Sequence, residues 1–148
     1  MIEKEEKYRL LTAQIKSLII GENDSISVMA NICAAIHEAM GFFWTGFYVV
    51  KDNELRLGPF QGPVACMHIG FGRGVCGTAW KERQTLVVPD VEQFPGHIVC
   101  SSLSRSEIVV PVFDAIGQVK AVLDIDSKEL ATFDSVDRQW LEQIVALL

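Results

Sequence analysis

The run EIVVPVFD-AIG-QVKAVLDIDS, residues 107–127, constrains the fold more than any other stretch. Both flanks are β-branched and apolar, and the short AIG connection with its glycine makes them an antiparallel hairpin. A second hairpin is predicted upstream. FFWTGFYVV is aromatic and β-branched, KDN is a polar turn, and ELRLGPF is the return strand. Hairpins build antiparallel sheets, so the next question is what covers their faces.

Helical periodicity supplies the cover. IEKEEKYRLLTAQIKSLIIGE sets Tyr8, Leu11, Ile15, Leu18 and Ile19 on one face, with Gly21 as its stop. DSISVMANICAAIHEAMG reads as a helix capped by Asp24, striped by Ile26, Met29, Cys33, Ile36 and Met40, and ended by Gly41. FDSVDRQWLEQIVALL closes the chain as an amphipathic helix, with Asp134 as cap and Val136, Trp140, Ile144 and Val145 inward. The middle is less regular. VCGTAWKER reads as a short helix and TLVV as a short strand. The glycine-rich QGPVACMHIGFGRGVCG takes no clear element. PDVEQFPGHIVCSSLSRS is a long loop, and long loops in compact domains are often functional. The order of elements gives an α+β sandwich.

The chain has 148 residues, which suggests one domain over 1–148. No uncharged apolar run nears the roughly 20 residues of a spanning helix. The charged start MIEKEEKYRLL lacks the apolar core of an export signal, so a cytoplasmic domain is expected. Net charge is −6 and the 13 Lys and Arg form no dense patch, which argues against nucleic-acid and membrane partners. Under those conditions Cys33, Cys66, Cys76 and Cys100 need not be structural staples.

Cys33 lies on a helical stripe and reads as core. The other three fall in the irregular middle, with no C-x-x-C pair. A zinc site would have to borrow His68 and His97, without the tight spacing of structural sites. Redox catalysis requires an accessible thiolate, a group that favours it, and a second thiol in reach. Cys100 has His97 and Arg105 nearby in sequence, and Cys66 and Cys76 are candidate partners. Asp124 and Asp126 are two apart, so in a strand they share a face, and Glu107 opens the preceding strand. The two aspartates are either a solvated edge or a pocket wall that holds an ammonium group and keeps a carboxyl protonated. Trp44 and Tyr48 also share parity, as core or as a small cage.

GPFQGPVACMHIGFGRGVCGTAW, VPDVEQFPGHIVCSSLSRSEIVVPV and VLDIDS, with FWTGFY and FDSVDRQWLE, resemble the free methionine-(R)-sulfoxide reductases, a family built on a GAF domain. The resemblance covers nearly the whole chain. It implies a six-stranded antiparallel sheet with helices on one face and a loop-covered ligand pocket on the other. It further implies Cys100 as nucleophile, Cys66 as resolving thiol and Cys76 as a third thiol. Glu107, Asp124 and Asp126 would engage the substrate, Trp44 and Tyr48 would form its aromatic wall, and backbone amides near Ile98 and Val99 would hold its carboxylate. No bound cofactor is expected; thioredoxin would be the reductant, and a homodimer using the first helix is an expectation. The competing reading is a non-catalytic GAF-type sensor of a small molecule or of redox state, weakened by the lack of room for an output domain in 148 residues. A peroxidase-like thiol enzyme is a third.

Overall fold

The computed structural model describes residues 2–148; residue 1, part of the expected domain, lies outside the described residues. Two helices come first, α1 (Lys4–Ile19) and α2 (Ser25–Met40). Strands β1 (Trp44–Lys51), β2 (Glu54–Gln61) and β3 (His68–Gly70) follow. Then come α3 (Gly74–Glu82), β4 (Leu86–Val88), a 3₁₀ turn at Val91–Gln93, β5 (Ser106–Phe113), β6 (Val119–Ser127) and α4 (Ser135–Val145). The six strands form one antiparallel sheet in the order β3-β2-β1-β6-β5-β4. The two predicted hairpins are β1–β2 and β5–β6, and they meet through β1 and β6 at the centre. The expected short strand at TLVV is β4. The sixth strand, β3, comes from the glycine-rich stretch. Three residues are too few to show alternation, and its pairing with Glu54, Leu55 and Arg56 is what makes it a strand.

Strand parity splits the core in two. Phe47, Ile108, Val110, Val112, Ala121, Leu123 and Ile125 point to one face and pack with residues of α1, α2 and α4. Trp44, Tyr48, Val109 and Val122 point to the other, beneath α3 and the loops. The expected helix-covered face is thus built by three helices, and α3 adds a fourth on the opposite side.

The caps follow the sequence. Asp24 accepts from Ser27 N at 2.9 Å, and Gly41 ends α2 in the left-handed conformation. Asp134 and Asp137 form a reciprocal capping box at α4. Tyr8, Leu11 and Ile15 are fully enclosed, each contributing about 1.5–3 kcal/mol of burial. This stripe packs against α2 and α4, so it is not free for a second copy. Two stripe positions differ from expectation: Leu18 and Ile26 are exposed. Periodicity specifies a helix face but not how far along it the neighbour reaches, and both residues lie near a helix end. Among the described residues no helix is long and apolar enough to cross a membrane.

Candidate active site

Cross-strand register assembles the site's floor. Trp44 pairs with Asp126, and Asp126 pairs with Glu107, so these three side chains stand in one row across β1, β6 and β5. One row further on, Gly46 pairs with Asp124, and Asp124 with Val109. Tyr48 stands in the row after that, opposite Val122. The even parity of β1 and β6 therefore puts all the expected acids and both aromatics on the α3 face. They line one small cavity of about 50 Å³, together with Cys76, His97, Ile98, Cys100 and Arg73.

Glu107 and Asp124 are buried, and Asp126 is partly so. Among the described residues no lysine or arginine forms an ion pair with any of them. His97 Nε2 lies 4.0 Å from Glu107 Oε1, and Arg73 lines the same cavity without an ion pair to the acids. Burial lowers the His97 pKa and keeps the imidazole neutral at pH 7. Asp124 Oδ1 is buried with no hydrogen-bond partner. Burial first, and then the charge of the neighbouring acids, pushes Glu107 and Asp126 well above the usual carboxylate range. Asp124 is also raised by burial, but Glu107 and Cys76 donate toward it and pull it back. Environments that separate neighbouring acids in this way assign one to hold the proton and another to carry the charge.

The cysteines divide into two sets. Cys66 and Cys100 are joined by a disulfide, with Cα atoms 5.6 Å apart, and it ties the β2–β3 loop to the long loop before β5. Cys100 is exposed and Cys66 half-buried. Cys76, in the first turn of α3, is a buried free thiol, 4.0 Å from Glu107 Oε2. Burial, then Asp124, Glu107 and Asp126, holds its pKa well up, which makes it a poor nucleophile in this state. Cys33 is enclosed in the opposite core, its thiol pushed up to about 12 by burial.

The aromatics do more than line a wall. Trp44 Nε1 donates to Pro63 O at 2.9 Å, and Tyr48 Oη donates to Cys66 O at 2.8 Å. Together they pin the loop that carries Cys66 to the sheet. Trp44 can lie flat because position 46 has no side chain: an added Cβ at Gly46 would sit 2.7 Å from Trp44 Cζ3 and 2.5 Å from Phe60 Cβ. Gly62, in a left-handed conformation, gives the same clearance at the other edge of the indole. Neither glycine stood out in the sequence. The signal available for Gly46 was a glycine amid aromatic and β-branched strand residues, which marks a close approach.

Ile98 lines the cavity and packs over Gly74 at the start of α3. Val99 is exposed, outside the lining. Among the described residues, the backbone N–H groups of Ile98, Val99 and Cys100 donate to no backbone carbonyl, so they are free for an anion. Arg105 is exposed and away from the cavity lining, so it does not assist Cys100 through the pocket. The zinc set borrowed from His68 is not assembled: His68 is exposed, with Nδ1 3.1 Å from Glu54. What the fold assembles is a row of acids seeking positive charge, amides free for negative charge, an indole face, and a redox-active pair of sulfurs above them.

The sequence profile described as GAF domain matches residues 22–148. The chain is 56% identical over 146 residues to GAF domain-containing protein A of Dictyostelium discoideum, covering 98% of this chain and 92% of that one. It is 43% identical over 148 residues to the free methionine-R-sulfoxide reductase of Escherichia coli, covering 99% and 89%. The solved structure of free methionine-R-sulfoxide reductase from Neisseria meningitidis, in complex with its substrate, superposes with a TM-score of 0.95 at 50% identity, covering 98% of this chain and 87% of that one.

Proposed function

The chain belongs to the GAF-domain family, alongside proteins named free methionine-R-sulfoxide reductases, and from that premise we propose that it reduces free L-methionine-(R)-sulfoxide to L-methionine. One observation carries the reading: the Cys66–Cys100 disulfide places one of its sulfurs, that of Cys100, at the lining of a cavity that also holds three carboxyls, none of them ion-paired to a lysine or arginine among the described residues. A disulfide alone fits a redox sensor, and an acidic pocket alone fits an amine binder. Joined in one cavity, they fit oxidation chemistry on a substrate that carries an ammonium group.

In the reduced protein the Cys100 thiolate attacks the sulfoxide sulfur. The oxygen gathers negative charge as its bond to that sulfur weakens, and the proton held by Glu107 neutralises it. The protonated oxygen passes to Cys100 Sγ as the bond between the two sulfurs breaks, methionine departs with the electron pair on its sulfur, and Cys100 is left as sulfenic acid. The Cys66 thiol condenses with it, water leaves, and the disulfide of this structure forms. A thioredoxin-type dithiol then reopens the bond, itself becoming a disulfide. That last step needs a reducing compartment, which points to the cytoplasm. Asp124 and Asp126 meet the ammonium group, the amides at Ile98 and Val99 the carboxylate, and the Trp44 face the methyl.

Gripping both ends of the amino acid demands the free form. Kinetics with thioredoxin, thioredoxin reductase and NADPH on four substrates test this: free R and S sulfoxides, N-acetylated R sulfoxide, and a peptide-bound form. Turnover should be confined to the free R epimer. A site built to hydrogen-bond a group rejects an analogue lacking it by about 10⁴-fold. Equal kcat/KM for free and N-acetylated substrate would overturn recognition by charge, and binding without turnover would favour the sensor.

A further inference from the structure

The disulfide is flanked along the chain by exposed apolar residues. Val64 and Met67 flank Cys66, and Val99 and Leu103 flank Cys100. These residues are 88%, 68%, 69% and 55% exposed. Each lies within three residues of a bridged cysteine, so the chain holds all four within about 11 Å of the bridge. Exposed apolar residues scattered singly need no account, but four gathered around one reactive bond do. The cavity's own needs do not explain them, since only Val64 among the four lines it.

We propose that Val64, Met67, Val99 and Leu103 form the docking surface for the protein dithiol that reopens the Cys66–Cys100 bond, with Cys100 as the sulfur attacked. This rests on the reductase reading above, and it commits to a partner because the chemistry does. A thiolate must reach one sulfur of the bridge in line with the S–S bond, so the partner's reactive surface has to lie on the patch at every turnover. Cys100 is exposed, whereas Cys66 is half-buried with its carbonyl held by Tyr48. The partner's thiolate bonds to Cys100 Sγ, the S–S bond breaks, and Cys66 leaves as thiolate and takes a proton. The partner's second thiolate attacks its own sulfur in the mixed disulfide and releases the Cys100 thiolate. Two electrons pass to the chain and the partner is oxidised. An apolar surround lets the two surfaces exclude water from this exchange without asking for a fixed set of hydrogen bonds, which suits a reductant that must bind briefly and leave.

The test separates docking from chemistry. Met67→Asp with Leu103→Asp alters two exposed side chains outside the cavity lining. Steady-state rates are measured with dithiothreitol and, separately, with thioredoxin, thioredoxin reductase and NADPH. The dithiothreitol rate should stay within about twofold, which also shows that the variant folds, while kcat/KM for thioredoxin should fall at least about tenfold. An unchanged thioredoxin rate, or an equal loss with both reductants, would overturn the docking surface. So would loss of a self-associated form of the oxidised protein with no change in the thioredoxin rate, which would assign the patch to a second copy. A wild type that dithiothreitol recycles but thioredoxin does not would instead sink the thioredoxin step itself. Trapping with a thioredoxin that has lost its second active-site cysteine should yield a mixed disulfide at Cys100. A bond mapped to Cys66 would reverse the choice of sulfur.

Discussion

Asp137 and Asp124 are both buried carboxylates, on opposite sides of one sheet, and the protein treats them in opposite ways. In the helix layer Asp137 is fully enclosed yet fully served. Tyr8 Oη donates to it at 2.5 Å, Lys4 Nζ at 2.7 Å and the Asp134 amide at 2.9 Å. These bonds tie α1 to α4. On the loop face, among the described residues, Asp124 has a buried oxygen with no partner, Glu107 stands beside it, and Asp126 completes the group without an ion pair to lysine or arginine. Burying a carboxylate without an ion pair is expensive, so a fold that supplies Lys4 to one carboxylate and, among the described residues, no lysine or arginine ion pair to three others holds those three at a cost in stability. The first arrangement stabilises the fold; the second lowers its stability, and on the function proposed above it leaves room for the substrate's ammonium group.

The largest effect should come from the sulfurs above the unpaired acids. Cys100→Ser should abolish turnover. Cys66→Ser should release one methionine per enzyme and then stall with Cys100 as sulfenic acid, detectable with a dimedone label. Steady-state turnover by Cys100→Ser would remove the loop face from the chemistry altogether.

Next in size is the swap of carboxylate for carboxamide on that face. Asp126→Asn and Glu107→Gln keep shape and remove charge or the transferable proton. Loss of a buried, hydrogen-bonded charge at a binding site costs about 2–5 kcal/mol, so kcat/KM should fall by about two orders of magnitude. The raised pKa of Glu107 adds a sign: activity that needs its proton is present at low pH and declines as pH rises through that pKa. A flat profile in wild type across the range where Cys100 is ionised would remove Glu107 as donor.

The same swap in the helix layer should act on stability alone. Asp137→Asn weakens the bonds from Tyr8 and Lys4. Hydrogen bonds to a charged group are worth about 1.5–3 kcal/mol, so unfolding in urea should show a loss near 2 kcal/mol. The Michaelis parameters should not move. A kinetic defect would mean that the two layers are coupled and the comparison fails.

How much of this contrast could be read from the sequence follows from what sequence encodes. Parity is local, so the shared face of Asp124 and Asp126, and that of Trp44 and Tyr48, was legible. Both hairpins and the caps at Asp24 and Asp134 were legible for the same reason. Register is not local. That Glu107 falls opposite Asp126, and Gly46 opposite Asp124, depends on how three strands align, and no single strand states it. The Cys66–Cys100 pairing came from resemblance, because a sequence separation of 34 fixes no distance in space. The role of Tyr8 was half legible: its stripe marked it as buried, but nothing near it named Asp137, 129 residues away, as its acceptor. Spacing marks the aromatics as a shared face, and their N–H and O–H bonds to the Cys66 loop depend on where that loop is placed.

The smallest effect is the one that most directly tests whether the loop face lowers stability. Burial raises the folded-state pKa of Glu107 and Asp126 well above that of the unfolded chain. The folded protein therefore binds protons there more tightly than the unfolded chain does. At pH values below the unfolded carboxylate range both states are protonated and the acids cost nothing by charge. As pH rises from there toward the folded pKa values, the unfolded chain loses its protons first and is favoured, so stability declines across that window. Glu107→Gln cannot lose a proton, so it should escape part of this decline. Its melting temperature should exceed that of wild type by a few degrees at pH 8, and the gap should close as pH falls toward 4. The gain should appear in the same variant that loses activity, and Asp137→Asn should show none at any pH. If Glu107→Gln is instead less stable than wild type at pH 8, the carboxyl is held by the fold as Asp137 is, and the loop face is not the strained side of the molecule.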